Sequence, residues 1–522
     1  MAIAEHKNFD DVLGFLADYH AYGQEPIAVE RIDTHAAILF LAGQDVYKLK
    51  RPVKLPYLDF STVALRQRVL EREFDLNRAH APQLYLGVVP ITRSAEGTLA
   101  IDGEGEAVEW ALHMRRFPNE DLLANYAAKH GLSAELTQRL AQVVARAHQT
   151  APICNTTDGR ERMAAILTQV RQAFERAPDL VSADMRRRFV ERSELALETA
   201  SRSLNMRAER GLVRRCHADL HLGNIALIDG EPVLFDALEF DEGLAQIDVL
   251  YDLAFLIMDM MQKGFRPAAQ LLLNRYVQLM DGPLTLYGLA ALPLFLALRA
   301  GIRAVVTIDR LRQMPEKEPE SARREILTYV NAAIGYLLPP PAKLVAVGGF
   351  SGTGKTTLAS AISHQIGAAP GALHLRSDVE RKAMFGLSEH QRLGEHGYTP
   401  QVTAEVYASI SQKAKIILRS GHSVVVDAVF SKPDERAAIA RVAERLNVPF
   451  VGLWLTAPKE KMKERVERRI ADASDATAEV VDQQLAYGTG PVSWSPIDAG
   501  GRKEDTLREA RRILTRRLGA LA

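Results

Sequence analysis

Eight residues, "GFSGTGKT" from Gly349 to Thr356, constrain the fold more than any other stretch of this sequence. They satisfy Gly-x-x-x-x-Gly-Lys-Thr, a pattern that functions only where a buried strand ends and a helix begins. That context is present: "KLVAVGG" reads as a buried strand, and the residues after Thr357 have helical spacing. In such a turn the backbone amides of Gly352, Thr353, Gly354 and Lys355 point at one spot at a helix N-terminus, where partial positive charge favours an anion. Lys355 is then placed to reach the outer phosphates of a nucleotide, and the Thr356 hydroxyl to hold magnesium. Gly349 and Thr357 complete the expected nucleotide-binding set. A strand committed in this way needs parallel neighbours. "ALHLRSD", "HSVVVDAV" and "PFVGLWLTA" alternate with helical segments and supply them, which implies an α/β domain with crossover helices.

A phosphate cradle by itself does not separate a switch, a motor and a kinase. Three further features do. "LRSDVERKAMFG" ends a strand at Asp378 and places Arg381 one helical turn later on the same face, so a carboxylate can orient an acceptor hydroxyl while a guanidinium holds an anionic group. "HSVVVDAVF" ends in Asp427, a carboxylate positioned to share the metal with Thr356. "ERVERRIADASDATAEV" carries Arg465 and Arg469 four residues apart, a pattern expected of a lid that closes over a transferring phosphate and excludes water.

Upstream, three consecutive prolines, Pro339 to Pro341, end the helix-like "ESARREILTYVNAAIGYLL". Proline cannot continue a helix and drives the residue before it into an extended conformation. The chain is therefore divided there, with residues 1–338 forming one domain and 342–522 the other. Within the first, "EPIAVERID", "AAILFLAG" and "QDVYKLK" read as successive strands, followed by the helical "STVALRQRVLEREFDLNRAHA". Helical spacing dominates after about residue 120. A small sheet-rich lobe over about 1–117 and a helical lobe over about 118–338 are expected.

The second chemistry-bearing stretch is "CHADLHLGNIAL", from Cys216 to Leu227. Phosphoryl transfer needs a carboxylate to orient the attacking hydroxyl, with metal ions and a cation to neutralise the phosphates. Asp219 fits the first role, and Asn224, five residues on, fits a metal ligand. "PVLFDALEF" delivers Asp236 as a second metal ligand. This order and spacing match a kinase catalytic loop followed by its metal-binding aspartate. His217 is read as a brace of the loop, His221 as either brace or participant, and Cys216 as packing.

The form His-x-Asp-Leu-His-x-x-Asn, with "IDVLYDLAFL" downstream, resembles the aminoglycoside phosphotransferase family and the choline and small-molecule kinases of that fold. The resemblance implies that Asp252 anchors helix and loop, with Asp248 a weaker candidate of the same kind. Ala218 stands where that family usually has glycine. A strand lysine paired with a helix glutamate is also implied. Lys48 and Lys50 point to the same strand face, and Glu71 and Glu73 lie on the following helix; strand position favours Lys48 and the family pattern favours Glu73. "DTHAAI" takes the place of a glycine-rich loop, and the adenine-holding hinge is expected around Met114. The later region resembles the P-loop small-molecule and polynucleotide kinases, near gluconate kinases, polynucleotide 5′-kinases and zeta-type toxins. Together the two regions resemble fused bacterial proteins in which an aminoglycoside-phosphotransferase-like kinase precedes a P-loop kinase. The fold class implied is an α+β, protein-kinase-like bilobal domain followed by an α/β P-loop kinase domain with a parallel sheet.

Composition narrows the partners. Lys+Arg and Asp+Glu are both 65, a formal net charge of +0, which disfavours nucleic acid as the main partner while leaving it open for the C-terminal domain. Two cysteines, Cys154 and Cys216, cannot build a disulfide framework, and a cytoplasmic location is expected. The N-terminus lacks the features of a secretory signal. The apolar "LYGLAALPLFLALRAGIRAVV" is broken by Pro293, Arg299 and Arg303 and reads as a buried helix, so no membrane association is expected. The expectation is a bifunctional phosphotransferase using ATP and Mg2+ on hydroxyls of small molecules. An antibiotic-modifying kinase, a polynucleotide or toxin-like kinase, and one active domain regulated by nucleotide binding at the other are the alternatives. The acceptors, ATP against GTP, and the oligomeric state are not legible in the sequence.

Overall fold

The computed structural model describes residues 2–23, 25–34, 36–55, 58–280, 282–313, 319–468 and 473–520. By packing, the chain forms two compact units: residues 1–156 with 211–259, and residues 157–210 with 260–522. The helical region expected to complete the first lobe is thus divided between them.

The first unit begins with a six-stranded antiparallel sheet, ordered Val29–Asp33, Ala37–Ala42, Asp45–Lys50, Glu106–Arg115, Tyr85–Arg93, Leu99–Ile101. Strand alternation decides what each face does. From Asp45–Lys50, Tyr47 and Leu49 enter a core with Phe9, Val12 and Leu16 of the helix Ala2–Ala17. Val46 enters the opposite core, with Leu70 of the helix Val63–Arg78. Lys48 and Lys50 share that second face, so two ammonium groups are directed toward this helix. The helix starts where Thr62 accepts a hydrogen bond from the Leu65 amide. The same unit holds the helices Leu123–His130 and Ala134–Thr150, and the helix Val249–Gln262 reaches its limit at Asp259. Two short antiparallel pairs complete it: Val213–Arg215 with Gln246–Asp248, and Ile225–Ile228 with Glu231–Leu234. The latter turns through Asp229 and Gly230, both at positive φ (53° and 79°), the geometry for which an Asp-Gly pair is suited.

The second unit holds a five-stranded parallel sheet, ordered Leu373–Arg376, Val424–Asp427, Leu344–Gly348, Phe450–Thr456, Ser495–Asp498. Every residue of its two innermost neighbours, Leu344–Gly348 and Val424–Asp427, is buried, as expected for a sheet covered on both faces. Val345, Val347, Leu358, Ile362, Val425 and Leu514 lie in its core, uniting strands with the helices Lys355–Ser363 and Lys503–Leu518. The helices Gly159–Glu175, Ala183–Glu209, Arg266–Leu279, Leu292–Gln313 and Pro319–Tyr336 belong to this same unit. Among the described residues, Pro283–Arg312 is long and apolar enough to cross a membrane by length and composition, but 67% of its most apolar 18-residue window is buried inside the protein.

Candidate active sites

In the first unit, the backbone of the loop around Asp219 is fixed by two acidic side chains of one helix. The amides of His217 and Ala218 donate to Asp252 Oδ2 and Oδ1 at 3.2 and 2.9 Å, and the Leu222 amide donates to Asp259 Oδ2 at 3.0 Å. Ala218, in place of the expected glycine, sits at φ 69°, a left-handed conformation that costs an L-residue about 1–2 kcal/mol. The bidentate hold by Asp252 offsets that strain. Asn224 Nδ2 donates to both the carbonyl and Oδ2 of Asp219, at 3.0 and 2.9 Å, which leaves its amide oxygen as a ligand. The Phe235 amide donates to the Asn224 carbonyl at 3.1 Å, joining the loop to the segment that carries Asp236. His217 Nε2 lies 2.9 Å from the Phe235 carbonyl, and burial pushes its pKa down, so it braces this segment as a neutral ring. His221 accepts from the Gly223 amide through Nδ1 and places Nε2 3.5 Å from Asp219 Oδ2.

Asp236 follows at φ 60°, its amide donating to the Tyr85 hydroxyl at 3.0 Å. Its carboxylate meets Lys48, whose Nζ lies 2.7 Å from Asp236 Oδ1 and 2.7 Å from Glu73 Oε1. Lys50 Nζ in turn lies 2.6 Å from Glu73 Oε2 and 2.6 Å from Glu239 Oε1. The choice between the two lysines therefore resolves into both, sharing one glutamate. The choice between glutamates resolves into Glu73, which is fully buried, whereas Glu71 is exposed and bonded by Gln67. Burial opposes charge on Glu73, but the two ammonium groups beside it hold its pKa down at about 2. Burial likewise opposes charge on Lys48, and Asp236, Glu73 and Glu239 overcome it, keeping the amine protonated. Met114 packs into the core with Val46, Leu70 and Tyr85.

In the second unit, Gly349, Gly352 and Gly354 all have positive φ (141°, 82° and 91°). At Gly352 a side chain would overlap the Met462 backbone, while Gly354 faces open space at the start of the helix Lys355–Ser363. The result is a concave turn with amides directed outward, suited to a phosphate. Thr353 Oγ1 and Lys355 Nζ both donate to the Phe350 carbonyl, at 2.8 and 3.0 Å. The turn opens into a cavity of about 1100 Å³ that Thr356, Thr357, Asp378, Arg381, Asp427 and Arg465 also line. Asp427 Oδ2 is 2.9 Å from His374 Nε2. Burial opposes its charge, but His374, Arg376 and Lys355 hold its pKa at about 2. Burial, reinforced by the charge of Asp427, pushes the pKa of Asp378 up. Arg381 is nearly enclosed: NH1 donates to the Gly397 carbonyl at 2.7 Å and to Thr403, and its guanidinium lies over the Tyr398 ring. It organises the cavity wall as well as facing the cavity. Arg465 reaches back to the carbonyls of Gly352 and Ala499, and Arg469 lies outside the described residues.

Both donor sets are hard oxygens, the Asn224 amide with the Asp236 carboxylate and the Thr356 hydroxyl with the Asp427 carboxylate. Such sets fit Mg2+.

Two family models match the chain, and the span of the first crosses from one compact unit into the other. Residues 58–286 match the model described as "Phosphotransferase enzyme family", and residues 344–491 match the one described as "AAA domain". The uncharacterized protein Rv2004c of Mycobacterium tuberculosis is 30% identical over 505 residues, covering 95% of this chain and 97% of its own. The chain belongs to the Rv2004c family. An adenylyl-sulfate kinase of Myxococcus xanthus is 26% identical over 143 residues, 27% of this chain and 69% of its own. A solved choline/ethanolamine kinase family protein from Mesorhizobium loti covers 63% of this chain and 99% of its own at 14% identity, with a TM-score of 0.40. By the two family models the chain joins a phosphotransferase domain to a P-loop kinase-type domain, and it is a phosphotransferase of the kinase class. Sequence reasoning missed Glu239, Asp259, Tyr85 and Asn77, whose Oδ1 accepts from the Ala237 amide beside Asp236 at 2.8 Å.

Proposed function

We propose that this member of the Rv2004c family is a bifunctional ATP-dependent kinase of the cytoplasm, each site moving the γ-phosphoryl group of ATP to a hydroxyl of a small molecule. One observation carries the reading: each unit separately brings together a lysine, a pair of hard-oxygen side chains and a further carboxylate. In the first unit Lys48 faces the phosphates, Asn224 and Asp236 hold Mg2+, and Asp219 orients the acceptor hydroxyl. In the second the amide turn and Lys355 take the phosphates, Thr356 and Asp427 hold Mg2+, and Asp378 orients the acceptor. Bound magnesium supplies neutralisation of the phosphate charge. The remaining catalysis is positioning by this chain's own groups, and Arg465 closes the second site from the lid side. Glu395, Glu435, Glu479 and Glu504 line the second cavity, a wall that favours a compact hydroxylated acceptor over a polyanion.

The test uses the full chain with γ-labelled ATP and a panel of sugars, polyols, amino alcohols, aminoglycosides and oligonucleotides. Asp219→Asn is expected to abolish one labelled product, and Lys355→Met another. If Asp219→Asn removes all transfer while Lys355→Met leaves every product intact, the second site is regulatory and the bifunctional reading fails.

A further inference from the structure

The parallel sheet of the second unit ends at Leu373–Arg376, and an edge strand leaves one row of backbone groups unpaired. Here that row is met by side chains of a helix encoded about a hundred residues earlier. Gln270 Nε2 donates to the Ala372 carbonyl at 2.8 Å, and the His374 amide donates to Asn274 Oδ1 at 2.7 Å. Residues 270 and 274 are one turn apart on the helix Arg266–Leu279, and 372 and 374 lie on the same side of the strand. Two side-chain amides therefore take the place of a sixth strand. Both are buried, Gln270 at 5% and Asn274 at 9% exposure. Arg266 Nε adds a bond to the Pro370 carbonyl at 3.2 Å, and Arg275 NH1 lies 3.4 Å from Glu389.

The residues held in this way lead directly into the nucleotide cavity. His374, whose amide Asn274 accepts, has its ring against Asp427. Asp378 follows four residues later at the start of the helix Ser377–Met384. Glu389, paired with Arg275, offers its carbonyl to Lys382 Nζ at 3.0 Å, and Lys382 pairs with Asp475 on the far wall of the cavity. One helix thus touches the strand that orients the metal-type carboxylate and the segment that shapes the opposite wall. This helix falls inside the span 58–286 that matches the phosphotransferase model, not the span 344–491.

We infer that Asn274 and Gln270 are positioning residues of the P-loop site: by completing the sheet edge they hold His374, and through it Asp427, in the orientation that binds magnesium with nucleotide. The inference rests on the proposed reading of that site. The span that matches the phosphotransferase model thus supplies part of the frame of the second active site.

The experiment measures binding of the non-hydrolysable nucleotide AMP-PNP by the full chain as Mg2+ is titrated. An Asp236→Ala background removes the metal dependence of the first site. Asn274→Ala is expected to raise the Mg2+ concentration for half-maximal binding about fivefold or more, with metal-free binding to the amide turn unchanged. Asn274→Asp keeps the acceptor and is expected to restore the parent value. Gln270→Glu sets an acceptor against the Ala372 carbonyl and is expected to behave like Asn274→Ala. Equal Mg2+ requirements in all three variants and the parent would overturn the inference. Should Asn274→Ala not fold, the contrast between Asn274→Asp and Gln270→Glu decides in the same way. If the Asp236→Ala parent itself shows no Mg2+-dependent nucleotide binding, the reading of the P-loop site fails first, and the inference with it.

Discussion

Glu73 carries more of the first site than its position in a surface-like helical pattern suggests. It is fully buried between two ammonium groups, each of which has a second carboxylate of its own. Breaking such a pair by removing one charge costs about 3–5 kcal/mol, so Glu73→Ala is expected to unfold the packing of the helix Val63–Arg78 against the sheet. The isosteric Glu73→Gln permits a finer test. The Glu73 pKa falls from 4.5 to about 2 on folding, so its ionisation stabilises the folded state above pH 4.5, and that contribution is lost as pH falls toward 2. Glu239, whose pKa burial raises, acts in the opposite direction and is present in both proteins. Hydrogen-exchange protection of that helix should therefore favour the parent over Glu73→Gln near neutral pH. The gap should close between pH 4.5 and about 2. The absence of any gap across this pH range would show that the glutamate acts by shape alone.

At the scale of elements, the sequence was most readable where backbone conformation and chemistry coincide. The phosphate turn is the clearest instance: its glycines are demanded by positive φ and its position by the strand before and the helix after. Gly352→Ala should accordingly be severe, since a left-handed residue costs about 1–3 kcal/mol and the added methyl overlaps the Met462 backbone. Nucleotide binding at the second site should be lost, with labelled products of the first site unaffected; retention of both products would contradict the cradle geometry. The loop around Asp219 was equally legible because polar residues at fixed spacing have few other reasons to recur in that order. Elements without such constraints were not. Ser495–Asp498, four residues including a proline, pairs in parallel with Leu453–Thr456 through backbone groups that leave no period in the sequence. Lys50 and Glu239 were invisible as a pair because 189 residues separate them, and only the meeting of strand face and loop brings them together.

For the whole molecule, the three prolines at 339–341 punctuate the chain, but packing follows another line. The described residues of 260–336 fall in the same compact unit as the P-loop sheet, and within it the helix Arg266–Leu279 supplies the hydrogen bonds that the edge strand does not find within its own sheet. No local signal announces this: Gln270 and Asn274 read as ordinary polar positions of an amphipathic helix until the strand they meet is known. The two ways of dividing the chain predict different fragments. A fragment of residues 342–522 keeps every motif of the second site yet exposes the Ala372 carbonyl and the His374 amide, a row open to pairing with another copy. A fragment of residues 260–522, co-expressed with residues 157–210 of the same unit, keeps that row covered by its own helix. The longer fragment should melt cooperatively and sediment as a single species, and the shorter should melt several degrees lower and self-associate with rising concentration. Identical melting and sedimentation of the two would mean that the P-loop sheet is self-sufficient and that the amides of Gln270 and Asn274 merely decorate its edge.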